Sequence, residues 1–285
     1  TCDLTNPPDH FLIEHDGNGL TCDAESIVIK ACANADCSNL STEESTLDFL
    51  INGAPQQNIT FTGSTNVMFN VTTPSTVTLG IGNATVPAAN ANQCLNGAST
   101  SCDMVFANAG FRFLYGATES SNIDPQIAAE EISPLKLQSV KDSNGVCTAL
   151  FSGNVLVDLS YQTINPNNGG LSFNVNGTPL ARQPDSPTSI NLSFGADGKA
   201  NIPSAIYRDV GEIRLHASYS QGGGSLVGSS NPFWVAPKEL LINAYESGTN
   251  NPINGASASD STIYAAGESF DFVVQAINAD GEVVN

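Results

Sequence analysis

Apolar and polar residues alternate with period two along nearly the whole chain. The rhythm is plain in "HFLIEHD", "SIVIKAC", "TLDFLIN", "NVMFNVT", "TVTLGIG" and "DMVFANAGFRFLY". It resumes in "PLKLQSV", "NVLVDLSYQTI", "LSFNV", "SINLSFG", "EIRLHASY" and "PFWVAPKELLINAY". Strict alternation puts one face of a strand on a core and the other toward water, and Gly, Asn, Asp and Pro clusters punctuate the segments at the spacing of sandwiches and barrels. No stretch reads as a long amphipathic helix. The best helical segment, "DPQIAAEEI" (124–132), is expected to be a linker with one helical turn. The fold class that follows is all-β.

Two internal matches divide the chain. "FANAGFRFLY" (106–115) aligns with "YRDVGEIRLHASY" (207–219) on an aromatic, a polar residue and Gly ahead of an alternating strand. Such a corner leads into the penultimate or last strand of immunoglobulin-like sandwiches, and two copies about a hundred residues apart indicate tandem domains. The second match joins "IKACANADC" (29–37) to "VQAINADG" (274–281). In the later copy a strand runs into Asp280-Gly281, a hairpin signal because Gly accepts positive φ. In the earlier copy Cys37 stands where the Gly is. The reading is an Ig-like sandwich over 1–117, a second over 118–236, and the first strands of an incomplete third over 237–285.

Composition narrows the setting. The 285 residues are 40% hydrophobic and 13% charged, with a formal net charge of -19. That surface repels nucleic acid and anionic lipid, and no apolar run approaches the ~18 residues of a membrane helix. The acidic residues are spread over all three blocks, which argues for solubility rather than a cationic docking site. The chain carries neither an initiator Met nor a signal peptide, so Thr1 reads as a processed or cut end. Among the seven cysteines, Cys32/Cys37 and Cys94/Cys102 flank polar turns and are expected to form local disulfides in an oxidising compartment. Cys2, Cys22 and Cys147 have no partner evident in the sequence, and zinc spacing is absent.

Candidate chemistry is sparse. His10, His15 and His216 sit in strand-like text without a G-x-S-x-G elbow or a nameable base and orienter, so catalysis is not expected. By alternation His216 faces away from Ile213, Leu215 and Ala217 and should be solvated. The turns "DGNG" (16–19), "DSNG" (142–145), "NPNNGG" (165–170) and Asp280-Gly281 lack the full calcium-loop pattern and read as hairpins; a structural calcium built from distant Asp and Glu is left open. Asn39, Asn58, Asn70, Asn83, Asn176 and Asn191 match N-x-[ST], as an Asn/Ser/Thr-rich chain does by chance. Trp234, near the second boundary, is expected to pack in an interface, with a sugar platform as the competing role.

Taken in order, "PDHFLIEHDGNGLTCDAESIVIKACANADC", "FANAGFRF", "PQIAAEEISPLKLQSVKDSNGVCTALFSG" and "YRDVGEIRLHASY…NPFWVAPKEL" resemble the large MshQ-type proteins of mannose-sensitive haemagglutinin pilus biogenesis. The resemblance implies a secreted or surface-displayed Gram-negative protein tied to type IV pili and adhesion, with no established catalytic residues to carry over; no cofactor motif is visible in the residues themselves, so no cofactor is expected. Family members often carry a laminin-G-like lectin domain, absent from this sequence. Its implied partners are pilus or surface-assembly proteins, and surface glycans. The function expected is a non-enzymatic stalk of an adhesin. The alternatives are a carbohydrate-binding module using Trp234 or loop tyrosines, and a filament subunit completed by a strand donated from a neighbour.

Overall fold

The structure, a computed structural model, describes residues 7–96, 99–166, 170–221, 224–253, 264–265 and 267–284. Among these, all regular structure is strand, and no helix is long and apolar enough to cross a membrane.

The first sandwich packs two sheets face to face. One runs Ser64–Phe69, Glu25–Cys32, His10–His15 and Gln93–Asn96 in spatial order, the last pairing parallel to His10–His15. The other runs Asn18–Leu20, Asp103–Ala107, Ser75–Gly82, Glu44–Ile51 and Ala54–Thr62. Strand Glu44–Ile51 shows why the sequence folds so. Ser45, Leu47 and Phe49 point inward and are fully buried, while Thr46 and Asp48 face out and bond Thr60 and Asn58 across the ladder. The core gathers Phe11, Ile13, Ile27, Ile29, Phe69, Met104 and Phe106 around that strand. Each such side chain contributes about 1.5–3 kcal/mol on burial.

The second sandwich is built on the long strands Gly153–Asn165 and Gly211–Gln221, paired antiparallel. Thr188–Phe194 and Phe233–Ala236 flank them, and Gly224–Ser229 folds back on Gly211–Gln221. The opposing layer holds Ala109–Tyr115, Leu135–Ser143, Val146–Ala149 and Lys199–Asn201. Phe113, Leu137, Leu159, Phe173, Tyr207 and Leu215 fill the space between. Asn-Gly pairs at 52–53, 144–145 and 176–177 adopt positive φ at both residues, the backbone a two-residue hairpin needs to match strand twist.

Two details differ from the sequence reading. Phe106 belongs to the first core, but Phe111 and Phe113 belong to the second. The "FANAGFRFLY" phrase therefore straddles the two sandwiches, and its strand Ala109–Tyr115 pairs with Leu135–Ser143 rather than closing the first domain. The expected helical turn in 124–132 is instead a two-residue strand, Gln126–Ile127, parallel to Phe233–Ala236. It ends in a turn at Ala129, with Ala128 and Ile132 buried in the core. Apolar spacing near a Pro served an edge strand here, because Val235 and Ala236 offer backbone partners the local sequence cannot reveal.

Beyond Ala236 the strands Glu239–Glu246 and Phe270–Ile277 form an antiparallel hairpin. Leu240, Ile242, Phe270, Phe272 and Val274 on it are exposed.

Candidate functional site

The most elaborated region lies where the two sandwiches meet. Three consecutive residues of the first sandwich each reach the second. The Thr21 hydroxyl donates to the Asp142 carboxylate at 2.7 Å, Cys22 is disulfide-bonded to Cys147, and Asp23 accepts from Arg112 Nη1 at 2.6 Å. The turn at Asn144-Gly145 explains how Cys147 is presented. It folds Val146–Ala149 back so that Cys147 lies opposite Asp142, whose other oxygen accepts the Gly145 N–H at 2.7 Å. From the other side Arg214 Nη1 donates to the His15 carbonyl at 3.1 Å. The ion pair is partly exposed and contributes at most about 1 kcal/mol; the covalent bridge dominates.

Between the sandwiches runs a cleft of about 1050 Å³. Glu14, Glu25 and Lys30 line it from the first sandwich, and Glu212, Arg214 and Trp234 from the second. Burial, with the nearby Asp16 and Asp23 carboxylates, pushes the Glu25 carboxyl well above the usual range. Burial likewise raises Glu212, with the Glu14 carboxylate adding to it and Lys30 and Arg214 opposing. Cleft placement at a domain junction and perturbed carboxyls together are the usual marks of a binding region.

The expected site residues fall as follows. Cys32 pairs with Cys37 and Cys94 with Cys102, in loops spanning five and eight residues. Cys22 and Cys147 pair with each other across 125 residues. Cys2 lies outside the described residues. His10 Nδ1 sits 2.8 Å from Asp9, and its ring lies within 4.8 Å of both sulfurs of the Cys32–Cys37 pair, whose thiols are consumed by the disulfide. His15 accepts the Gly17 N–H on Nδ1 at 3.1 Å, leaving Nε2 to donate to the Ser101 carbonyl at 2.9 Å. Burial lowers its pKa, and both nitrogens are committed to backbone.

His216 departs from expectation. It does face away from Leu215, but that face is not free: Arg214, two residues earlier, makes the contact with the first sandwich. His216 Nδ1 lies 2.9 Å from Ser229 Oγ, Nε2 is buried without a partner, and burial with the Arg214 charge pulls its pKa down to about 4. Trp234 also departs. It is 49% exposed and lines the cleft instead of packing in an interface. Of the acidic turns weighed for calcium, Asp16 accepts the Asn18 N–H, Asp142 is held as above, and Asp280 pairs with Arg208. In the 165–170 turn, residues 167–169 lie outside the described residues.

The two copies of the repeated corner share an anchored aromatic and differ in the bonds that follow it. Phe106 and Tyr207 anchor in their cores. Two residues on, the Asn108 carbonyl accepts the Asp142 N–H, and the buried Asp209 carboxylate accepts from Gly170 and Leu171 N–H. Residues 91–229 match a family model described as a domain of unknown function (DUF6701), first Ig-like domain. The chain is a tandem of Ig-like β-sandwiches. Residues 9–88 match a second domain of unknown function, DUF8613. Among solved structures, the D0-D1 domain of Intimin is similar at 11% identity and a TM-score of 0.30, covering 78% of this chain and 96% of that one. A tetra-tandem repeat in the extending region of a large adhesion protein is similar at 9% identity and a TM-score of 0.24, covering 95% of this chain and 64% of that one. No curated protein matches the chain.

Proposed function

We propose that this Ig-like tandem is a non-enzymatic stalk segment of a surface-displayed Gram-negative adhesin, associated with a type IV pilus of the MSHA kind. The observation that carries the stalk is the Cys22–Cys147 bridge. Sandwiches joined only by a linker move relative to one another by default. Here a covalent bond tethers neighbouring sandwiches, with the Thr21, Asp23 and Arg214 contacts restraining their angle, which suits a part that transmits force or holds a terminus at a set distance. Three disulfides fit an oxidising, extracellular location. The pilus link rests on the resemblance of the sequence motifs. Antibody against the two sandwiches, applied to intact cells, is expected to label the surface alongside pili. Label that appears only after permeabilisation would overturn the reading.

The hairpin after Ala236 extends the same design. Its pairing repeats that of the first sandwich position for position. Leu240 faces Ala276 as Phe11 faces Ala31, and Ile242 faces Val274 as Ile13 faces Ile29. We read 237–285 as the opening strands of a third sandwich, with the division of the chain into 1–117, 118–236 and 237–285 adjusted for the strand Ala109–Tyr115. Two strands alone are marginal in water. Amide exchange should therefore be fast in the hairpin and slow in both cores; equal protection would sink the reading.

A further inference from the structure

Strand pairing sets Glu212 opposite Trp234. Arg214 follows two residues along and so shares that face of the sheet. All three line the cleft between the sandwiches, across from Glu14 and Lys30. Trp234 presents half its surface there, whereas Arg214 is only 6% exposed. Arg214 Nη1 is taken by the His15 carbonyl, but its Nε is buried with no partner. The Glu212 carboxylate has no hydrogen bond among the described residues, although Lys30 and Arg214 act on it electrostatically. An orphaned donor and an unfilled acceptor thus stand beside an exposed indole.

We propose that this cleft binds a neutral oligosaccharide, with one pyranose face stacked on Trp234 and sugar hydroxyls bonded to Glu212 and Arg214. The chemistry selects the class. The Arg214 guanidinium can only donate, and the Glu212 carboxyl supplies acceptor oxygens. A hydroxyl both accepts and donates, so a polyhydroxylated ligand satisfies adjacent positions that no purely cationic or anionic group can. An anionic glycan would meet Glu14, Asp16, Asp23, Glu25 and Glu212 on the walls and be repelled. A lysine-rich peptide would suit those carboxylates but set like charge against Arg214. The indole supplies a broad apolar ring with few rotamers to fix, and a cleft of about 1050 Å³ has room for several sugar units. Trp234 and Glu212 are binding residues in this proposal; Arg214 also positions the two sandwiches through His15.

Trp234 is the sole tryptophan of the chain, so intrinsic fluorescence reports on the site alone. The whole chain should be titrated with cellohexaose, chitohexaose, maltohexaose and α-mannohexaose. At least one is expected to give a saturable change, with calorimetry confirming the affinity. Trp234→Ala should weaken calorimetric binding at least about tenfold, Trp234→Phe less, and Glu212→Gln severalfold, each with the all-strand circular dichroism spectrum of the parent. No saturable change with any of the four sugars would overturn the proposal. So would unaltered affinity in Trp234→Ala, or a response to oligolysine alone.

Discussion

A Cβ placed on Gly228 would lie 2.0 Å from the carbonyl oxygen of Phe111. The reciprocal contact sets a Cβ on Gly110 at 2.6 Å from the Val227 carbonyl oxygen. Strands Ala109–Tyr115 and Gly224–Ser229 lie on opposing layers of the second sandwich, and they approach backbone to backbone because both residues lack side chains. The obstructing atoms are main chain, so neither strand can swing aside as a rotamer would.

Gly228→Ala should therefore destabilise the second sandwich by about 2–3 kcal/mol, in the range of overpacking substitutions. Gly80→Ala is the matched control. Its Cβ would meet Leu50 at an ordinary 3.6 Å, and loss of chain entropy in the unfolded state makes it neutral or stabilising by a few tenths of a kcal/mol. Urea unfolding of the two variants should separate them clearly. Equal midpoints would mean that the strands part more easily than their contacts indicate.

The three disulfides should differ in their effect on stability according to the loops they close. Cys22–Cys147 closes a loop of separation 125, against five for Cys32–Cys37 and eight for Cys94–Cys102. On the chain-entropy account the long bridge contributes about 4–5 kcal/mol and each short one no more than about 2–3. Paired Cys22→Ser/Cys147→Ser substitution should lower the unfolding midpoint most and broaden the distribution of inter-sandwich angles in small-angle scattering. The short-loop double variants should leave the scattering unchanged. A long-bridge variant with wild-type scattering would show that Thr21, Asp23 and Arg214 suffice to hold the angle.

Sequence periodicity made the strands legible because burial on one face is all that a period of two requires. Leu47 and Phe49 inward, Thr46 and Asp48 outward, follow from the text alone. What periodicity reports is a face, not what covers it. His216 lies on the face opposite Leu215, as alternation says, yet that face meets the first sandwich through Arg214. The Cys22–Cys147 bond was illegible for a related reason. Neither cysteine has a near neighbour, and the turn at Asn144-Gly145 that presents Cys147 carries no mark of its partner. The cleft around Trp234 depends on the angle between two units, which no local pattern encodes.

Acid should unfold the chain partly through His216. Its folded pKa of about 4 lies below the ordinary 6.5, so the neutral ring favours the folded state. That contribution is fully present above pH 6.5 and is lost as pH falls toward 4. Glu25 works in the opposite sense. Its raised folded pKa means that stability is fully present below the ordinary carboxyl value near 4.5 and declines as pH rises through the folded value. His216→Gln should flatten the loss between pH 6.5 and 4. Glu25→Gln should raise the urea midpoint at pH 8 while leaving it unchanged near pH 4. Identical pH profiles in both variants and the parent would sink the argument.

The sharpest contrast compares equivalent positions in the first sandwich and the hairpin. Phe11 faces Ala31 and Leu240 faces Ala276 in the same pairing register. Phe11 is 1% exposed beneath the second sheet, whereas Leu240 is 62% exposed, with no second sheet over it among the described residues. Phe11→Ala leaves a cavity among Ile13, Ile29 and the strands opposite, and should cost about 3–5 kcal/mol. Leu240→Ala removes a side chain already in water, so it should change stability by no more than about 0.5 kcal/mol. Both substitutions belong in the whole chain, followed by urea unfolding with amide exchange as a local probe. If Leu240→Ala costs as much as Phe11→Ala, the hairpin face is covered in solution. Dilution would then identify the cover: a cost that vanishes at low concentration means a neighbouring molecule supplies the missing sheet, and one that persists means the same chain does.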